Sequence, residues 1–285
     1  MPGDAHPLSK KSSEPPYGEP DVQIAGRVEH KDLVRLAWAR AKTQFGSEYA
    51  GSALGGVWHL LQPLAMIGIY TLVFGVVIRV RSDIEGVAYG LYLCSALVPW
   101  LAFQESITKG STSFTRNQHF LRKLNVNELV FPLESGLQAF VGLMLGYVVV
   151  SAFGLVTGVP VQGSWFALIP IFLLLIGCGS GIGLACGSVV PFFPDFTNVV
   201  QIILRPMFWL TPVIYPLSQV GDGPLRWVVL AQPMTPFVLA TRQAFFEGTF
   251  PEIQLWLAMG AWTFGTIAFG LLILRVLRHE LRDVL

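Results

Sequence analysis

The stretch GSALGGVWHLLQPLAMIGIYTLVFGVVI, Gly51 to Ile78, decides how the rest of the chain is read. It opens with small and polar residues, passes Trp58 and Gln62-Pro63, and runs apolar from Leu64 to Ile78. No charged residue interrupts Leu60 to Ile78. A helix needs about 20 apolar residues to cross a hydrocarbon layer about 30 Å thick, and this run comes close. Just upstream, His30 to Phe45 is basic and amphipathic. The junction reads as a surface helix feeding a first membrane helix, with Trp58 near the boundary where indole rings settle. Once this span is placed, every later apolar run is read in lipid.

Composition agrees. Of 285 residues, 53% are hydrophobic and 13% charged, and mean hydropathy is +0.57. Soluble domains carry roughly 25% charged residues, so half that fraction points to a membrane protein. A net charge of +1 supplies no basic field for nucleic acid. Cys94, Cys178 and Cys186 lie inside apolar runs without disulfide or metal spacing, as small packing residues do. Residues 1–26 lack the apolar core of a signal peptide and are rich in Pro, Ser and charge, which predicts a disordered cytoplasmic tail.

From Arg27 to Phe45 (27–45) the pattern predicts an amphipathic helix. Leu33, Leu36, Ala37 and Ala41 share one side, while Lys31, Asp32, Arg35, Arg40 and Lys42 fall largely on the other. Membrane spans are expected at about 60–78, 87–107, 129–157, 165–190, 197–215 and 253–274. Between the second and third lies the longest polar connection, Lys109 to Glu128. There Phe120, Leu121 and Leu124 share a helical face, which predicts a short amphipathic helix at about 113–125. The fourth run contains GCGSGIGLACG, residues 177–187, with glycine pairs 177/181, 179/183 and 183/187. Such pairs let helix backbones approach closely in lipid, within one chain or at a dimer contact. Pro233 and Pro236 cut the run 227–250, which reads as a re-entrant pair of short helices. The expected fold class is all-α: a polytopic membrane protein with six transmembrane helices and these three accessory helical segments.

Six spans put both termini on one side. Arg27, Lys31, Arg35, Arg40, Lys42, Lys109, Arg116, Arg122, Lys123, Arg275, Arg278 and Arg282 fall there, against Arg79, Arg81, Arg226 and Arg242 opposite. The positive-inside rule therefore places both termini and the 109–128 segment in the cytoplasm.

The sequence offers little catalytic chemistry. It has no G-x-x-x-x-G-K-[ST] loop for nucleotide, and its five histidines are scattered. Asp83 and Glu85 form a carboxylate pair in a loop, where two acids usually just stay wet. Arg205 reads as an intramembrane charge, either paired structurally or facing a water path. Aromatic residues cluster at Trp100/Phe103, Phe192/Phe193/Phe196, Phe208/Trp209/Tyr215 and Phe245/Phe246. From spacing alone, belt and core packing account for them.

Four segments in order resemble one family. They are YAGSALGGVWHLLQPLAMIGIYTLVFG (49–75), NQHFLRKLNVNELVFPLES (117–135), FPDFTNVVQIILRPMFWLTPVIYP (193–216) and AQPMTPFVLATRQAFFEG (231–248). They resemble the ABC-transporter permeases that export cell-surface polysaccharide, with Gln232 standing where Asn is usual in an N-P-x8-R motif. The resemblance implies a homodimeric half-transporter that binds no cofactor itself and works with two ATPase subunits carrying ATP and Mg. It implies an interface helix carrying Lys31, Arg35 and Arg40. It implies ATPase coupling through Arg116, Asn117, Phe120, Leu121, Arg122 and Lys123. Gly51 to Pro63 would form the cytoplasmic mouth for a lipid-diphosphate head. Residues 212–250 would cap the exit. Trp100, Phe103, Phe192, Phe208, Trp209 and Tyr215 would line the sugar path. The implied partners are a lipid-linked polysaccharide, O-antigen-like, and the lipids of a bacterial inner membrane. Alternatives are an exporter of a small hydrophobic drug or lipid, an intramembrane enzyme acting on lipid-linked sugar, and a non-transporting scaffold.

Overall fold

The computed structural model describes residues 33–47, 58–73, 87–123 and 127–284, and the described residues are all-helical. The expected tail 1–26, Lys31, residues 51–57, the end of the first span at 74–78, the Asp83/Glu85 loop and Leu124 lie outside them. The helices are α1 (Leu33–Ser47), α2 (Trp58–Tyr70), α3 (Tyr89–Ser111), α4 (Ser113–Arg116), α5 (Gln118–Lys123), α6 (Val130–Val156), α7 (Leu168–Val189), α8 (Phe196–Leu210), α9 (Pro224–Leu230), α10 (Thr235–Arg242) and α11 (Ile253–Val284). A 3-10 turn, Gly163–Ala167, leads into α7, and a π turn, Gln243–Glu247, follows α10.

By length and composition, Val130–Val156, Gly163–Val189 and Ile253–Arg278 can cross a membrane. The other three expected spans fall on α2, α3 and α8. α8 stops at Leu210 rather than 215. Pro212 explains the stop: it pushes Thr211 out of the helical region, to φ −73° and ψ 137°.

α3 is the central helix, with 18 of its 23 residues buried. Because protein rather than lipid surrounds it, it tolerates polar side chains that a lipid-facing helix avoids. Ser95 and Ser106 satisfy their hydroxyls on the Tyr92 and Phe103 carbonyls, both at 2.8 Å.

The glycines of α7 face two ways, because residues two apart on a helix lie nearly opposite. Gly179, Gly183 and Gly187 turn to α3. A Cβ at Gly183 would sit 2.9 Å from the Ser106 carbonyl oxygen and 3.1 Å from Gly110 Cα. Gly177 and Gly181 turn to α11, where a Cβ at Gly181 would lie 2.6 Å from the Ile267 nitrogen. The small-residue pairs therefore serve packing within the chain. Two hydroxyls reinforce the α7–α11 seam: Thr263 donates to Leu174 O at 2.9 Å and Thr266 to Cys178 O at 3.2 Å. In lipid such packing substitutes for the hydrophobic drive, and each interhelical hydrogen bond contributes roughly 0.6 kcal/mol.

These pairings fix direction. Ser106 meets Gly179 and Gly110 meets Gly183, while Thr263 meets Leu174 and Thr266 meets Cys178. So α3, α7 and α11 run parallel. α8 runs against α3, since Gln201 bonds Thr108 while Phe208 meets Trp100. The bundle thus has two ends. α1, α4 and α5 gather where α3 and α7 finish, around Phe114, Phe131, Leu184, Leu274 and Leu281. α9 and α10 gather where α3 begins.

Candidate functional site

Each end is organised by an arginine. At the first, Arg40 comes from α1. Its Nε lies 2.7 Å from Glu134 Oε2 on α6, and its Nη2 donates to Asn117 Oδ1 at 2.8 Å. Its guanidinium also sits 4.9 Å from the Phe120 ring centre and 5.1 Å from that of Phe131. Asn117 in turn donates to Ser113 O at 2.9 Å, and Gln138 reaches Glu134 Oε1 at 3.4 Å. Glu134 is only 2% exposed and Arg40 is 24% exposed. Stripping the cation from such a carboxylate is expensive, because a buried charge then has no partner. Arg40 therefore joins α1, the α4–α5 segment and α6. Nearby, Arg278 on α11 reaches Glu128, just ahead of α6, at 3.0 Å.

The α4–α5 segment differs from the single helix expected at 113–125. It is two short helices parted at Asn117, whose side chain bonds back to Ser113 O while receiving Arg40. Arg40 also departs from expectation. The inward face of α1 runs Leu33, Leu36, Ala37, Arg40, Ala41, so Arg40 belongs to the packed face and not the polar one. Its i+4 spacing from Leu36 and i+7 from Leu33 carries that signal.

At the second end Arg242, on α10, is buried. It donates to Pro212 O at 2.7 Å and Val213 O at 2.8 Å, and its guanidinium lies 3.7 Å from the Tyr92 ring centre. Thr211 donates to Gln232 Oε1 at 2.5 Å, and Tyr89 donates to Ile214 O at 2.5 Å. The bend after α8 is thus held by side chains from α3, from the turn before α10 and from α10 itself. The sequence reading counted Arg242 among the charges on the side opposite the termini and made Arg205 the intramembrane charge. In the structure Arg242 is buried, and Arg205 lies on the exposed side of α8. The available signal was the x8 spacing between Gln232-Pro233 and Arg242, matched to a second proline-broken segment at 211–216.

The remaining sequence candidates separate. Arg35 on α1, and Arg116, Phe120 and Arg122 on α4–α5, are exposed, Phe120 by 46%. Leu121 packs into the small cluster at the Arg40 end, and Arg116 Nη2 lies 3.5 Å from Ser135 Oγ. The side chain of Lys123 lies outside the described residues. Of the aromatic set, Trp100 and Phe103 are core residues, so neither faces an open surface of the protomer. Rings step from Phe103 to Trp100 (5.9 Å), Phe208 (5.5 Å) and exposed Trp209 (5.7 Å). Phe192 belongs instead to the Arg40 end, and Tyr215 bonds Leu210 O at 2.7 Å.

Three apolar spans around a packed helical core, with short helices gathered at both ends, define a polytopic membrane subunit. Residues 35–246 match the ABC-2 type transporter family, and the chain belongs to it. It is 27% identical over 201 residues to an O-antigen export system permease protein RfbA of Klebsiella pneumoniae, covering 70% of this chain and 76% of the relative. An RfbA permease of Myxococcus xanthus is 25% identical, covering 75% of this chain and 82% of the relative. The polysialic acid transport protein KpsM of Escherichia coli is 25% identical, covering 82% of this chain and 88% of the relative.

Proposed function

We propose that the chain is the transmembrane subunit of an ATP-driven exporter that moves lipid-linked cell-surface polysaccharide across a bacterial inner membrane. It works as a homodimer with two separate ATPase subunits, which hold ATP and Mg. The observation that carries the energy-coupling part is the Arg40 end. Half-exposed Phe120, flanked by exposed Arg116 and Arg122, is offered outward on a segment fastened through Arg40 to the long helix α6. An apolar anchor with cationic neighbours suits a groove edged by acids on an ATPase. The cargo is supported by relatives named for O-antigen export and polysialic acid transport.

In this reading the Arg40 end and both termini are cytoplasmic, as the distribution of Lys and Arg favours. α2, α3 and α8 complete six spans. α9 and α10 dip in from the outer surface and cap the exit. Trp209 and Phe208 on α8 face the sugar path, with α8 offering its exposed side to the space between two copies. Deleting the gene in its host tests the function: polymer should accumulate inside the cell, and the intact chain should restore it to the surface. Normal surface polymer in the deletion strain would sink the proposal.

A further inference from the structure

A hollow of about 330 Å³ lies beside the Arg242 clamp. Its lining includes Tyr92, Arg242, Gln243, Glu247, Glu252 and Gln254, from α3, α10, the π turn and the start of α11. Gln243 Oε1 accepts from the Glu252 backbone N–H at 3.3 Å, which ties two sides of the mouth together and leaves the Gln243 amide N–H groups as donors. The carboxylates of Glu247 and Glu252 make no ion pair among the described residues. Small-molecule sites begin at about 300 Å³, so the hollow suits a ligand the size of one or two sugar rings.

Charge narrows the ligand further. Two carboxylates repel phosphate. The Arg242 guanidinium disfavours a divalent cation, which also demands a tight oxygen cage with ligands about 2.3–2.6 Å away rather than a roomy hollow. A neutral polyhydroxylated ligand satisfies both signs, because each hydroxyl donates to a carboxylate or amide oxygen and accepts from an amide N–H. We infer that this hollow is a carbohydrate subsite, which holds a neutral sugar unit of the cargo at the end of the molecule opposite Arg40. Its place in export rests on the exporter reading, but its ability to bind sugar does not.

The test places the full chain in lipid nanodiscs and records saturation-transfer difference NMR with methyl α-glycosides of glucose, galactose and mannose. At least one glycoside should receive saturation above empty nanodiscs. Gln254→Trp, which fills the mouth, and the double variant Glu247→Ala/Glu252→Ala, which removes both acceptors, should each cut the signal at least threefold. These side chains are exposed, and size-exclusion profiles check that the variants fold. Signals equal in wild type and variants, or absent in all, would overturn the inference. So would glucose 1-phosphate giving as strong a signal as the glycosides, or calcium chloride displacing them. No sugar binding combined with intact ATP-driven export sinks the subsite alone; lost export in the wild-type complex sinks the exporter reading.

Discussion

At one end of the molecule Arg40 meets a buried carboxylate; at the other, Arg242 meets two backbone carbonyls and a tyrosine ring. Both arginines join elements distant in sequence, but the junctions differ in kind. Arg40 sits on a peripheral helix with its side chain 24% exposed, while its partner Glu134 is 2% exposed. Arg242 is 5% exposed, and its acceptors belong to a proline bend that no water replaces cheaply. An ion pair with one wet and one buried partner leaves a stranded carboxylate whenever it opens. A dry cation on backbone carbonyls is a rivet. The difference separates a half-wet ion pair that ties α1 and α4–α5 to α6 from a dry cation that ties the α8 bend to α10.

The contrast can be broken from either side. The largest effect is expected from Arg242→Ala, which strands the Pro212 and Val213 carbonyls. Hydrogen bonds to a charged donor are worth about 1.5–3 kcal/mol each, so thermal unfolding in detergent should shift strongly downward and export should be lost. Next comes Gly183→Val, on the seam that joins the two ends. Overpacking costs about 1–3 kcal/mol and should show in the same melting assay. Glu134→Ala should separate function from folding: the complex should still assemble, while the ratio of polymer moved to ATP hydrolysed falls. The exchanged pair Arg40→Glu/Glu134→Arg should recover part of that ratio, and no recovery would count against a joint between these two side chains. Phe120→Asp should leave melting unchanged but weaken co-purification of the ATPase; unchanged assembly and export would refute the docking role.

Much of the fold was legible because lipid leaves a chain few options. Long apolar runs located α6 and α7 to within about three residues, Glu134 notwithstanding, whereas α11 was expected to end at Leu274 and continues through Arg275 to Val284. α8 was drawn too long because hydropathy continues through Thr211-Pro212-Val213, while backbone geometry does not. The glycines of α7 were visible as a close-packing signal, but only the structure divides them between α3 and α11. The site was harder to read. A residue's place on a helix face follows from spacing, and Arg40 could have been placed that way. The identity of its partner could not, because Glu134 lies 94 residues away on another helix. The burial of Arg242 was not foreseen, because a charge near a chain break is usually wet. Only tertiary contact with the 211–216 bend explains a buried guanidinium.

The most direct measurement co-reconstitutes the purified chain and its ATPase in proteoliposomes containing the lipid-linked polymer. It then follows polymer appearance in the lumen as ATP is added outside. The expected result is ATP-dependent movement that needs both proteins, with no nucleotide hydrolysis by this chain alone. Polymer crossing without the ATPase, or hydrolysis by the isolated chain, would contradict the idea that it is a conduit powered by another subunit.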